Sequence, residues 1–155
     1  MKIEYKEEQK FTQWWLWIGL IGFGIYEIYN LYQHFIIGEK KISDLSQIIF
    51  SIVIFGVIVL FWRIRLNTKI DQNEIRMKFF PFVKKQIRWK DIKSAEIVNY
   101  GFVGGWGIRL WTKYGTVYNT KGNKGLAIEL LNGKKILIGT QNETELNKVV
   151  ENAIC

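Results

Sequence analysis

The chain has 155 residues, a formal net charge of +8, one cysteine and one histidine. One cysteine excludes an internal disulfide framework and a cysteine-based zinc site. The charge excess suits an anionic lipid surface, an acidic protein or nucleic acid.

Residues 1–13 read as a basic cytoplasmic tail carrying Lys2, Lys6 and Lys10. Residues 14–37, "WWLWIGLIGFGIYEIYNLYQHFII", open on Trp14, Trp15 and Trp17 and close on tyrosines. Aromatic girdles of this kind mark the boundaries between water and lipid, and predict a first transmembrane helix. No small-residue cleavage site follows, which argues against a removable signal.

A short extracytoplasmic loop over 38–44 holds Lys40 and Lys41. A second transmembrane helix is predicted over 45–64, where 46–62 has no charge. A span needs roughly 20 mainly apolar residues, and this stretch supplies them. The excess of Lys and Arg outside the loop, with Arg63, Arg65 and Lys69 after the second helix, places both termini in the cytoplasm of a multi-pass inner-membrane protein.

Glu27 is costly inside lipid. It shares a helix face with Asn30 and His34 by three- and four-residue spacing. Antiparallel pairing sets Glu27 near Gln47 and Ser51. A carboxyl hydrogen-bonded to the partner helix is one reading. An ion path or polar oligomer seam, giving a transport or sensing component, is the alternative.

From residue 66 the pattern becomes alternation. In "EIRMKFF", 74–80, Ile75, Met77 and Phe79 fall on one face and Arg76 and Lys78 on the other. Asn132-Gly133 between "GLAIELL" and "KKILIG" signals a two-residue hairpin. Thr140 with Glu143 makes a capping-box signature ahead of a helical apolar pattern through Leu146, Val149 and Val150. The expectation is two transmembrane helices, then about seven antiparallel strands in a barrel over 66–154, closed by a C-terminal helix.

The stretch "GFVGGWGIRLW", 101–111, does not fit a phosphate-binding loop, because no Lys-Ser/Thr pair follows and a strand follows in place of a helix. Gly104, Gly105 and Gly107 read as positive-φ turn positions before a strand holding Arg109. Of Trp106 and Trp111, one is expected to pack and the other to face outward. The only histidine, His34, lies outside the strand region, so a serine or cysteine triad has no base there. No enzyme activity, metal or cofactor is expected.

"YGFVGGWGIRL", "IRWKDIKSAEI" and "KGLAIELLNGKKILIGTQNETEL", with Gly139-Thr140 in the last, resemble the bacterial pleckstrin-homology-like families that follow transmembrane helices. The resemblance implies a membrane-attached barrel without catalysis. It also implies that basic residues around the first hairpin, here Lys69, Arg76 and Lys78, hold phosphates. Lys84, Lys85 and Arg88 form a second basic cluster. The expected partners are membrane lipids or a protein. The membrane tether disfavours nucleic acid, and composition leaves the oligomeric state open.

Overall fold

A computed structural model of the chain describes residues 3–38 and 42–154. Lys2, Lys40, Lys41 and Cys155, used above, lie outside the described residues. The chain divides into two compact units: Thr12–Arg63, and Met1–Phe11 with Ile64–Cys155.

The first unit is helical. α1 runs Trp14–Tyr32 and continues as a π-helical turn, Gln33–Ile37, ended by Gly38 at φ +83°. α2 runs Asp44–Arg63. Gly24 brings the helices close: a Cβ there would sit 3.2 Å from Ile58 Cδ1. The carboxylate of Glu27, 1 % exposed, accepts hydrogen bonds from Gln47 Nε2 at 2.7 Å and Ser51 Oγ at 2.5 Å on α2. Sequence spacing places these three together, and they meet.

The expectation of two spans is corrected here. Among the described residues one helix, Asp44–Arg63, is long and apolar enough to cross a membrane, with a mean hydropathy of 2.5. In α1 the tryptophans, tyrosines, three glycines, Glu27 and Asn30 dilute the apolar content.

The second unit holds nine strands among the described residues. β1 is Ile3–Lys10, β2 Arg65–Asp71, β3 Glu74–Phe80 and β4 Val83–Arg88. They form an antiparallel sheet in the order β1-β2-β3-β4. After a 3-10 turn, Trp89–Asp91, follow β5 Ile92–Asn99, β6 Gly107–Thr112, β7 Gly115–Asn119, β8 Lys124–Leu130 and β9 Lys135–Gly139. Their order is β5-β8-β9-β7-β6, with β7 and β9 parallel. α3, Glu143–Ile154, ends the chain, with Leu146 and Val150 buried.

The predicted barrel is therefore two open sheets. The ladder breaks at the turn between β4 and β5, and neither sheet closes on itself. The predicted tail is strand β1, because Tyr5 and Gln9 are buried and β2 is its partner. The two sheets meet through Phe79 against Tyr118, ring centroids 6.4 Å apart. They are also joined by Gln9 Nε2 donating to the Gly139 carbonyl at 2.7 Å. Alternation puts Leu66, Ile70, Ile75, Met77 and Phe79 into the core, each at most 2 % exposed.

Of two local expectations, the hairpin forms and the helix cap moves. Asn132-Gly133 turns the β8–β9 hairpin, with Gly133 at φ +80°. The cap of α3 is Asn142, whose Oδ1 accepts from the Glu145 amide at 3.4 Å. Thr140 lies too early to cap and binds Tyr5, Glu7 and the Asn142 amide instead.

Candidate functional site

A strand sends alternate side chains to opposite faces. In the β1–β4 sheet, the outward residues are therefore Lys6 and Glu8 on β1, Asn67 and Lys69 on β2, Arg76 and Lys78 on β3, and Lys84 and Gln86 on β4. The register lines them into two rows across the sheet. One row is Lys6–Lys69–Arg76–Gln86 and the other is Glu8–Asn67–Lys78–Lys84. Together they line an open cleft of about 460 Å³.

Lys6 opposes Lys69, Lys69 opposes Arg76, and Lys78 opposes Lys84. Like charges directly opposite each other destabilise a sheet. The fold tolerates three such pairs on one face. One carboxylate in the cleft, Glu8, stands against these five cations, and it is already bridged to Lys10 and Arg65, each at 3.3 Å.

Arg76 is held in place from the β2–β3 turn. Its Nη2 lies 2.5 Å from Asp71 Oδ2, and its Nε lies 3.3 Å from Glu74 Oε1. Asp71 is fully buried and also accepts the backbone N–H groups of Asn73 and Glu74. Burial alone pushes its carboxyl up. The two amides and the Arg76 guanidinium outweigh that and hold it below the usual carboxylate value. The same residue thus shapes the turn and orients one cation of the cleft.

The sequence clusters are partly regrouped. Lys69, Arg76, Lys78 and Lys84 come together. Lys85 points to the other face, its Nζ 5.3 Å from the centroid of the Tyr118 ring. Arg88 pairs with Asp91 at 2.9 Å and lies outside the cleft. Lys6, Asn67 and Gln86 join the site unforeseen. The alternation of Tyr5, Glu7 and Gln9 with Lys6, Glu8 and Lys10 is a period-2 signal, but with only one apolar residue it reads as a tail.

The glycine-rich stretch is a separate feature. Gly101, Gly104, Gly105 and Gly107 all have positive φ. A Cβ on Gly105 would lie 2.7 Å from Arg109 Nη2, which donates to the Trp106 carbonyl at 3.2 Å. Trp111 is 95 % exposed and Trp106 is 37 % exposed. Comparison with known proteins finds no matching family model, no matching curated protein and no matching solved structure.

The polar residues of the helical unit form a second constellation. Glu27 and His34 are buried, and Asn30 lies beside them on the wall of a cavity of about 330 Å³. His34 Nε2 lies 2.9 Å from Asp44 Oδ1.

Proposed function

We propose that the chain is a non-enzymatic, membrane-attached binding module whose basic sheet face holds a phosphate-bearing anion. The observation that carries this reading is the set of opposed cations across β1–β4. A bound anion would turn their mutual repulsion into attraction. Each well-placed Lys or Arg contributes about 1 kcal/mol near an anionic surface. Backbone pairing fixes the spacing of the rows before any ligand arrives, and the exposed lysine side chains are ordered on binding.

Membrane attachment is supported by α2, whose apolar window is only 11 % buried within the molecule. Leu45, Ile52 and Val59 stand exposed on α2, and Ile18, Phe23 and Ile25 on α1. The chain leaves α2 at Arg63 and enters β2 at Arg65, so β2 starts on the side of the bilayer where α2 ends. Arg63 and Arg65 assign that side to the cytoplasm of the cell membrane. Lipid headgroups are then the nearest source of the phosphate, and an acidic protein surface is the other ligand of matching charge.

The test uses the full chain in neutral detergent, titrated with short-chain phosphatidylglycerol, phosphatidylcholine or inorganic pyrophosphate. Saturable phosphatidylglycerol binding that weakens with salt is expected. It should fall about tenfold or more in the double variant Lys78→Glu/Lys84→Glu, and stay unchanged in Lys134→Glu. Pyrophosphate binding of equal strength would make the ligand a soluble phosphate. Equal binding of both lipids, or an indifferent double variant, would remove the reading. Release of the chain by alkaline carbonate would remove the membrane attachment.

A further inference from the structure

The cavity between α1 and α2 carries an inference independent of the basic cleft. Glu27 places one carboxylate oxygen, Oε1, under the two donors of α2. Its other oxygen, Oε2, is buried and has no hydrogen-bond partner. Gln33 Oε1 is likewise buried without a partner, while Gln33 Nε2 donates to the Tyr29 hydroxyl at 2.6 Å. Both residues line the same cavity. Buried acceptors left unmade cost about 1–3 kcal/mol each, and more when charged. Two in one cavity point to a missing donor.

The rest of the wall narrows the chemistry of that donor. Tyr26, Tyr29 and Phe50 supply aromatic surface. A carboxylate beside aromatic rings suits an ammonium group, which gains from both charge and π-faces. His34, the one side chain in the wall able to carry positive charge, is already engaged by Asp44. Calcium and magnesium fit less well, since they take six or more oxygen ligands, and zinc asks for three or four His, Cys or carboxylate ligands. Among the described residues, no group of three His, Cys, Asp or Glu side chains is placed to hold a metal. The volume of about 330 Å³ lies in the small-molecule range.

We infer that this cavity binds a protonated organic amine. The ammonium donates to Glu27 Oε2, Gln33 Oε1 is a further acceptor on the same wall, and the hydrocarbon part rests on Tyr26, Tyr29 and Phe50. No proton or bond changes hands, so the site is one of binding only. Because it stands on the helical unit alone, it survives or fails separately from the anion-binding reading.

The probe is benzylamine, with benzyl alcohol as its neutral counterpart, titrated against the full chain in neutral detergent at pH 7. Benzylamine should bind saturably and at least tenfold more tightly than benzyl alcohol. Glu27→Gln should abolish that preference. Gln33→Leu and Phe50→Ala leave the bonds of Glu27 to Gln47 and Ser51 in place, and each should weaken benzylamine severalfold. These two keep the test open if Glu27→Gln does not fold. Equal binding of amine and alcohol, no saturable binding of either, or undiminished amine binding in the folded variants would overturn the inference.

Discussion

Gly115 shows how little freedom single positions have in the two-sheet unit. Its φ is +73°, and a Cβ there would sit 2.1 Å from the Lys135 carbonyl oxygen. The backbone cannot yield without parting β7 from β9, which pair at Thr116 and Ile136. Gly115→Ala should therefore cost about 2–4 kcal/mol, combining strain with the clash. A denaturant titration followed by tryptophan fluorescence would show it. Asp71 sets a pH dependence. Its folded-state pKa is depressed, so its contribution is fully present above the unfolded value of about 3.9. That contribution is lost as pH falls through the lower folded value. Asp71→Asn should be less stable than the parent at pH 7, and the gap should close in strong acid. Melting curves of both proteins from pH 7 downward would test this. A gap that stayed constant with pH would refute the assignment.

At the scale of elements, β1 decides the integrity of the first sheet. It covers the edge of β2 along Leu66–Asp71 and brings Tyr5 into the core, 2 % exposed. The hydroxyl of Tyr5 donates to Glu7 at 2.5 Å. Burial raises the Tyr5 pKa first, and the neighbouring Glu7 carboxylate raises it further. Removing residues 1–10 takes away an edge strand, a large buried ring and the Gln9 link to the second sheet. If β1 were only a tail, the truncated chain would melt as the parent does. The structure predicts loss of cooperative unfolding, or a fall in melting temperature of at least about 10 °C. That corresponds to about 1–3 kcal/mol for a unit of about 100 residues.

Across the whole molecule, the basic cleft sets stability against binding. The opposed pair Lys78–Lys84 costs the empty sheet energy and contributes to anion capture. Lys84→Glu should therefore act in opposite directions on the two properties. The ligand-free chain should gain up to about 1 kcal/mol, since an opposite-charge pair replaces a like-charge pair. Phosphatidylglycerol affinity should fall. High salt should shrink both effects, because the cleft is open to solvent. A variant that lost binding together with stability would instead mark Lys84 as a structural residue.

What the residues determine alone is local. Alternation in 74–80 marks β3 with its true ends, Asn132-Gly133 marks the hairpin between β8 and β9, and the uncharged run marks α2. The meeting of Glu27 with Gln47 and Ser51 is also legible, because antiparallel helices joined by a short link have few registers. Strand pairing over long separations is not local. The tertiary structure alone drew residues 3–10 against Arg65–Asp71, lined Lys6 up with Lys69 and left the two sheets open. Periodicity assigns a side chain to a face within its own strand. Which strands share that face depends on pairing across dozens of residues, and the cleft exists only there.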